Sequence, residues 1–251
     1  MLTSSGRMNL IIDVGNTFIK LAVFKKSQLI LKTSASKEKF FKDFERISKD
    51  YPAINQVIIS AVGGFPEEDL LRIKNKYPTI LVSSKTNIPF KNTYKTPLTL
   101  GGDRIALVTA AAINYPTKNV LIIDVGSCVT LDFKNSKNEY LGGSISPGID
   151  FRYRSLHDYT KKLPLLEAQK TLNNMGTSSK SSIHTGVIQG ITYEIDGFID
   201  AYKENYKELT VILTGGGAQY LLDSLKNSIF ARSNFLLEGL NYLVQNNENK
   251  C

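Results

Sequence analysis

The sequence has few of the side chains that build disulfide frameworks and zinc sites. It contains two cysteines and two histidines in 251 residues. Cys128 stands inside an apolar run and Cys251 ends the sequence, so no framework of bridges is indicated and a reducing compartment is favoured. Two histidines, His157 and His184, are too few for a His-based zinc site, and we expect any bound metal to have oxygen ligands.

Long apolar runs are also missing. No stretch reaches the roughly 18 apolar residues that a membrane-spanning helix needs, and residues 1–7 lack the apolar core of a signal peptide. We therefore expect a cytoplasmic protein without membrane contact. Met8 directly precedes the first predicted strand, so residues 1–7 are interpreted as an upstream start or a tail outside the fold.

The chain is basic, with a formal net charge of +8 and a pI near 9.3. Such a charge is typical of proteins that bind nucleic acid or attract small anions. Because the lysines are spread along the whole chain instead of forming one block, attraction of an anionic substrate such as ATP is favoured, and nucleic-acid binding is not expected.

An internal repeat is the most informative feature. Residues 11–17 read IIDVGNT and residues 122–128 read IIDVGSC, with five identical residues in a row. Each copy is followed by a second β-rich run, FIKLAVF at 18–24 and VTLDF at 129–133, so each predicts a hairpin with an acid at its tip. A separation of about 110 residues is too long for a solenoid and favours two similar lobes with a cleft between them.

The tip of such a hairpin is suited to phosphate. A glycine in the turn lets backbone amides approach an anion, and hydroxyl or amide side chains add neutral donors. The carboxylates of Asp13 and Asp124 would repel phosphate unless a cation stood between them, so Mg²⁺ or a monovalent ion is indicated. The alternative is a plain tight turn, in which Asp, Gly and Asn are favoured anyway.

Residues 211–218, VILTGGGA, form a third candidate element. The pattern predicts a strand, a glycine turn and then a helix, with apolar residues at Tyr220, Leu221, Leu222 and Leu225. A helix N-terminus after the turn would suit the phosphates or close approach of the adenosine. Glycine turns of this kind also occur for purely topological reasons.

Residues 97–104, PLTLGGDR, precede a predicted helix at 105–112. Asp103 has the position of an N-cap, which would explain it without any function. Arg104 is unfavourable for the helix dipole in a first turn, so its presence suggests contact with an anion, either a substrate carboxylate or a transferred phosphoryl group.

Two turn-rich stretches complete the pattern. Residues 142–149, GGSISPGI, follow a strand and predict a lobe junction or cleft wall before a helix. Residues 176–182, GTSSKSS, have a flexible composition and precede a helix from about Thr185 to Lys203, so they are either a mobile substrate loop or a linker.

These motifs, in this order, resemble those of the type III pantothenate kinases, members of the acetate and sugar kinase, heat-shock chaperone and actin superfamily. The resemblance spans nearly the whole chain from Met8. It implies an α/β fold of two duplicated actin-like (ribonuclease H-like) lobes with a cleft between them. We expect the lobes at residues 8–114 and 115–251.

The resemblance also implies a reaction: ATP-dependent phosphorylation of pantothenate to 4′-phosphopantothenate, the first step of coenzyme A biosynthesis. It implies Mg²⁺ with the ATP, a monovalent cation (K⁺ or NH₄⁺) at Asp124, and a homodimer with the pantothenate pocket near its interface. Asp103 is the implied catalytic base. The implied ATP contacts are Asp13, Val14, Gly15, Asn16, Thr17, Phe18, Ile19, Lys20 and Ser127, and the implied pantothenate contacts are Tyr94, Gly101, Gly102, Asp103, Arg104 and Thr177.

The chain departs from the family at two positions, because members usually have Thr and Ala where Ser127 and Cys128 stand here. Serine keeps the hydroxyl needed for phosphate, and Cys128 keeps a small apolar volume. Two alternatives stay open. One is another small-molecule kinase or a phosphatase on the same fold; the other is a non-enzymatic transcriptional activator, although no helix-turn-helix or basic cluster is evident.

Overall fold

The computed structural model describes residues 6–61 and 65–247. Residues 1–5 of the tail predicted at residues 1–7, and the cysteine at 251, lie outside these ranges. The chain divides into two compact units. Unit 1 comprises the residues up to Asn114 together with those from Asn234 onward, and unit 2 comprises Tyr115–Ser233.

Unit 1 is built on a five-stranded sheet in the order β3-β2-β1-β4-β5. β1 pairs antiparallel with β2 and parallel with β4, and β2 pairs antiparallel with β3. Its elements are β1 (Met8–Val14), β2 (Ile19–Lys25), β3 (Gln28–Ala35), α1 (Phe40–Asp50), β4 (Ile54–Ala61), α2 (Glu67–Lys76), β5 (Thr79–Leu81), β6 (Lys91–Asn92), α3 (Gly102–Asn114) and α6 (Phe235–Asn247), with short 3₁₀ turns at Lys37–Lys39 and Pro97–Thr99.

The core of unit 1 follows from the apolar patterns of these elements. β1 and β4 are buried along nearly their whole length, as expected for central strands covered on both faces. α1 turns Phe40, Phe44 and Ile47 inward at helical spacing, and all three are buried against one face of the sheet. β3 alternates between half-buried and exposed side chains, as expected for an edge strand.

Unit 2 repeats this topology. Its strands run in the order β9-β8-β7-β10-β11, with β7–β8 and β8–β9 antiparallel and β7–β10 and β10–β11 parallel. The long helix α5 contributes a row of buried isoleucines to the core of this sheet. The elements are β7 (Asn119–Val125), β8 (Cys128–Lys134), β9 (Glu139–Pro147), α4 (Ile149–Asp158), α5 (Ser179–Asn205), β10 (Leu209–Thr214), a 3₁₀ turn (Gly216–Tyr220) and β11 (Phe230–Ala231).

The C-terminal helix α6 belongs to unit 1, whereas the sequence-based division placed residues 234–251 in the second lobe. α6 packs along α3 and also contacts β1 and β4. At Gly239 the two helices come so close that an added Cβ would overlap the backbone of Ala106. The predicted boundary after Asn114 coincides with the end of the first segment of unit 1. The lobe assignment itself stays a prediction.

The helix expected after the glycine turn at 215–217 does not form. Gly216–Tyr220 is a single 3₁₀ turn, and residues 221–224 continue as turns. The buried carboxylate of Asp196 accepts hydrogen bonds from the backbone N–H groups of Lys226 and Asn227, which holds the following segment in a non-helical path. The glycine turn is therefore not followed by an α-helix N-terminus of its own.

α5 begins earlier than predicted, at Ser179 instead of about Thr185. Ser178 and Ser181 form a reciprocal capping box, which satisfies backbone N–H groups of the first turn. The serine-rich stretch that was expected to be a flexible loop is thus mostly the first turn of a helix. Within the described ranges, no helix is long and apolar enough to cross a membrane.

Candidate functional site

A row of polar side chains crosses the sheet of unit 1 where β1 ends. Asp13 stands opposite Lys20 on β2 and opposite Ser60 on β4. Side chains in register on neighbouring strands lie on the same face of a sheet. The Lys20 ammonium accordingly lies 3.3 Å from Asp13 Oδ2. The end of this sheet therefore carries an acid, a base and a hydroxyl side by side.

Asp13 is an unusual carboxylate because it is 4% exposed. Burial raises its pKa, the neighbouring Lys20 lowers it by charge and hydrogen bond, and the charge of Asp103 raises it again, with burial the largest of these effects. Asp13 and Asp103 are thus close enough to interact. A cation placed between two such carboxylates would relieve both the burial cost and the repulsion.

The segment at residues 101–104 forms the first turn of α3. Asp103 lies within that turn, and its Oδ1 accepts a hydrogen bond of 2.8 Å from the backbone N–H of Arg104. Gly102 faces the end of β4, because a Cβ built on it would lie 3.1 Å from Ser60 Oγ. The start of α3 is therefore placed against the same strand end as Asp13.

Arg104 and Tyr94 are brought together, as their predicted common role requires. The Arg104 side chain is buried, with 6% exposure, and its guanidinium carbon lies 5.6 Å from the centre of the Tyr94 ring. A guanidinium at that distance interacts favourably with the face of an aromatic ring. Arg104 is thus held in place next to the catalytic candidate Asp103.

The first hairpin loop presents backbone and small polar groups to solvent. Gly15 N–H donates to the Phe18 carbonyl at 3.1 Å, and the side chains of Asn16, Thr17 and Phe18 are exposed. Val14 and Ile19, in contrast, are buried in the core. Val14 and Ile19 also line a cavity of about 400 Å³ together with Phe40 and Phe65.

Unit 2 has an equivalent polar row. Asp124 stands opposite Thr130 on β8 and opposite Thr214 on β10. The Thr130 hydroxyl is buried and has no hydrogen-bond partner among the described residues. Asp124 is half-buried. This row offers oxygen atoms only, where the row of unit 1 includes an ammonium group.

Two other motifs converge on the second hairpin. The backbone N–H of Gly148, just before α4, donates to the Ser127 carbonyl at 3.0 Å. Gly215 has φ +91°, and an added Cβ would overlap Asp124 Oδ1 and the Val125 carbonyl. Glycine is the residue that adopts this backbone conformation without strain and allows such close approach. The structure thus gathers the predicted elements at 124–127, 142–148 and 214–217 in one place.

Thr177 lies near the start of α5 in unit 2. It is exposed directly before α5, and its backbone N–H donates to Ser181 Oγ at 2.9 Å. The adjoining face of α5 borders a cavity of about 670 Å³ between α4 and α5. The lining residues include Arg152, Leu156, Leu163, Ser179, Ile183 and Val187.

Ser60 was missed by the sequence analysis, and Thr214 was included in the predicted element at 211–218 without a role of its own. Each is a hydroxyl that interrupts or ends an apolar strand, in IISA and ILTG. The sequence shows a hydroxyl residue near the end of each strand, but it does not show which strands pair. The register that places each hydroxyl opposite an aspartate follows from the parallel pairing of these strands in the sheet.

Within the described residues, no group of three or more His, Cys, Asp or Glu side chains could hold a metal ion. Hydroxyl, backbone or substrate oxygens would have to complete any cation site. Both polar rows provide such oxygens, because Ser60 Oγ and Thr130 Oγ1 are buried without a hydrogen-bond partner among the described residues. These donors suit hard cations such as Mg²⁺ and K⁺.

A family model described as type III pantothenate kinase matches residues 9–201. The chain is a member of the type III pantothenate kinase family. It is 48% identical to the type III pantothenate kinase of Christiangramia forsetii over 241 residues, which cover 96% of this chain and 99% of that one. The family and the enzyme class predicted from the ordered motifs are confirmed.

Solved structures confirm the fold class. A protein from Campylobacter jejuni, named as a Baf family transcriptional activator, superimposes with a TM-score of 0.65 at 22% identity, covering 96% of this chain and 99% of that one. A ROK family glucokinase from Streptomyces griseus superimposes with a TM-score of 0.53 at 9% identity, covering 95% and 99%. At such low identity these similarities concern the fold alone.

Proposed function

We propose that this protein transfers the terminal phosphoryl group of ATP to pantothenate, forming 4′-phosphopantothenate in the first step of coenzyme A biosynthesis. Membership of the type III pantothenate kinase family over residues 9–201 supports the proposal. The observation that connects the proposal with chemistry is the placement of Asp103 in the first turn of α3, where Gly102 lies against Ser60, the register partner of Asp13.

Asp103 is the proposed general base. A carboxylate accepts the proton of an attacking hydroxyl as the bond to phosphorus forms, and the residue needs little more than correct position. The hydrogen bond from the Arg104 backbone N–H to Asp103 Oδ1 fixes the orientation of the side chain. Oδ2 takes no part in that hydrogen bond, and we propose that Oδ2 accepts the proton of the attacking hydroxyl.

Arg104 is the proposed partner of an anionic group on the acceptor. Pantothenate carries a carboxylate, and a guanidinium binds carboxylates with two parallel hydrogen bonds. The ring of Tyr94 limits the directions the guanidinium can take. A Cβ on Gly101 would overlap Asp103 Oδ1, so glycine at this position lets the carboxylate of the proposed base lie where it does.

Lys20 and the loop from Gly15 to Phe18 are proposed to bind the phosphates of ATP. The loop offers backbone N–H groups and the exposed side chains of Asn16 and Thr17. Mg²⁺ bound with ATP would neutralise phosphate charge, and the oxygens of Asp13 and Ser60 fit such an ion. The Lys20 ammonium lies 3.3 Å from Asp13 Oδ2, so it stands at the same strand end as the proposed phosphate site.

Asp124 is proposed to hold a monovalent cation, K⁺ or NH₄⁺, with Thr130 as a candidate neighbouring ligand. Ser127 is proposed as a further ATP contact from the same hairpin. A homodimer, in which Thr177 contributes to the pantothenate pocket, and a cytoplasmic location complete the proposal.

The test is ADP release from ATP and Mg²⁺, measured with and without pantothenate in potassium and in sodium buffer. We expect turnover that requires pantothenate and is faster in potassium. Asp103→Asn should lower turnover about 10²- to 10⁴-fold, the usual contribution of general base catalysis, while ADP binding stays close to that of the parent.

Asp43→Asn is the matched control, since Asp43 is also a carboxylate in the first turn of a unit 1 helix. It should leave turnover unchanged. ADP release that ignores pantothenate but responds to another alcohol would assign the chain to a different acceptor. Salt-sensitive binding to DNA that survives Asp103→Asn, without any turnover, would favour a regulatory role.

A further inference from the structure

Ser60 is a buried side chain without a hydrogen-bond partner. It is 0% exposed, and among the described residues its hydroxyl contacts no donor or acceptor. A buried hydroxyl that makes no hydrogen bond lowers the stability of the fold. Such a group is retained at a cost to stability, which suggests that it finds its partner in something other than the polypeptide.

The surroundings of Ser60 indicate where that partner binds. Its side chain lies on the same face as Asp13, its register partner on β1. Gly102 at the start of α3 lies close to Ser60, because a Cβ built on it would be 3.1 Å from Ser60 Oγ. The hydroxyl is therefore next to Asp13 in the sheet and next to the helix turn that carries the proposed base Asp103.

Unit 2 repeats the arrangement. Thr214 on β10 stands opposite Asp124 as Ser60 on β4 stands opposite Asp13. The two strands hold equivalent places, each parallel to the aspartate strand. A hydroxyl has thus been kept opposite the aspartate in both copies, although the flanking residues differ.

We propose that the Ser60 hydroxyl donates a hydrogen bond to an oxygen of the bound magnesium nucleotide, either a phosphate oxygen or a water molecule on the metal. This inference rests on the proposed use of ATP. Ser60 thereby becomes a nucleotide-binding residue of unit 1, in addition to Asp13, Lys20 and the hairpin loop.

The test is Ser60→Ala, which removes one oxygen atom. Thermal unfolding and ADP affinity are measured on the full chain, the latter by titration calorimetry with Mg²⁺ and again in EDTA. We expect an unfolding temperature equal to or above that of the parent, because an unpaired buried group is lost. ADP should bind about tenfold more weakly, the usual effect of losing a hydrogen bond to a charged ligand.

The two buffers identify the oxygen. A loss seen only with Mg²⁺ assigns the bond to a metal-bound water, and a loss in both buffers assigns it to a phosphate oxygen. Unchanged ADP affinity in both buffers would overturn the inference. A lower unfolding temperature would also overturn it, because it would show that the hydroxyl already has a partner within the protein.

Ser48→Ala is the matched control. Ser48 is a second buried serine of unit 1 whose hydroxyl has no partner among the described residues, but it lies on α1. Its replacement should leave ADP affinity unchanged in both buffers. A parent protein that binds ADP but does not phosphorylate pantothenate would remove the proposed function and leave the role of Ser60 standing.

Discussion

The hairpins β1–β2 and β7–β8 share the residues Ile-Ile-Asp-Val-Gly where their first strands end, yet they present different partners to the aspartate. Lys20 stands opposite Asp13, whereas Thr130 stands opposite Asp124. The first loop closes with Val14 opposite Ile19, so it has one residue more than the second, which closes with Val125 opposite Val129. Asp13 therefore has the positive charge of a lysine beside it, whereas Asp124 has a neutral hydroxyl.

This difference explains why two copies of one motif suit two cations. In unit 1 the ammonium group of Lys20 already offsets part of the charge of Asp13. In unit 2 the residue in the equivalent position, Thr130, provides a hydroxyl oxygen. A hydroxyl can bind a metal ion, but it carries no positive charge of its own. We therefore expect the second hairpin to depend on an added monovalent ion more strongly than the first. Four predictions test the comparison.

The largest effect is expected where the second hairpin meets the glycine turn. Gly215→Ala would force a side chain onto a backbone with φ +91° and against Asp124 and Val125. We expect a loss of stability of about 3 kcal/mol or more, measured by thermal or denaturant unfolding. Gly216→Ala is the control, because a Cβ there meets nothing within 4 Å. Equal losses in both variants would show that the wall around Asp124 is not tightly packed.

The next effect concerns the buried charge of unit 2. Lys134 is fully buried and donates to the carbonyls of Pro116 and Asn135, and burial lowers its pKa from 10.5 to about 8. Between these two values the unfolded chain binds a proton that the folded chain does not, so stability should rise as pH increases from 8 to 10.5.

Lys134→Met should abolish that rise and increase stability at pH 7 by about 1–2 kcal/mol, since no charge has to be buried. Unfolding is measured across the pH range. The exposed Lys137→Met is the control and should keep the rise. A Lys134→Met protein that is less stable than its parent at pH 7 would mean that the two carbonyl hydrogen bonds outweigh the cost of burial.

A third substitution would make the second hairpin resemble the first. Thr130→Lys places an ammonium group opposite Asp124, where Lys20 stands in unit 1. If potassium acts at Asp124, we expect activation by potassium to be lost, because the lysine supplies the positive charge. Turnover is compared in potassium and sodium after unfolding data show that the variant folds. Undiminished activation would place the ion elsewhere.

The smallest effect is expected at Asp13. Its pKa is raised in the folded state, mainly by burial, so the folded chain holds this proton more tightly than the unfolded chain. Protonation of Asp13 therefore stabilises the folded chain at low pH. This stabilisation is lost as the pH rises from the ordinary pKa of 3.8 through the raised pKa of the folded state.

Asp13→Asn should remove this pH dependence and increase stability at pH 7 by about 1 kcal/mol, because no charged group has to be buried. Denaturant unfolding between pH 3 and 7 without added metal is the measurement. A less stable variant at pH 7 would show that the ion pair with Lys20 exceeds the cost of burying Asp13, which would make the first hairpin the better stabilised of the two.

Much of the fold could be predicted from local patterns. The repeated apolar run followed by Asp-x-Gly gave both central hairpins, because strand periodicity and turn chemistry are encoded within a few residues. The small, apolar residues of 105–112 gave α3. The order of the motifs gave the family.

The remaining features depend on contacts between distant residues. The apolar spacing at Leu221, Leu222 and Leu225 is helical. The backbone N–H groups of the two residues that follow Leu225 donate instead to the carboxylate of Asp196 on α5, so the helix does not continue. Ser60 has no local signature, since its place opposite Asp13 arises from the parallel pairing of β1 with β4. Amphipathic pattern alone gave no indication that α6 packs on α3.

The return of α6 to unit 1 has a consequence for how the protein is made. During synthesis the strands of unit 1 leave the ribosome first. The Asn9 side chain on β1 cannot donate its hydrogen bond until Asn241 has been synthesised, and Ala106 cannot make its close backbone contact until Gly239 has been synthesised. Unit 2 is complete once Ser233 has emerged. Unit 1, which carries the proposed base, is therefore begun first and finished last, and a chain that ends before α6 would lack the contacts that complete its core.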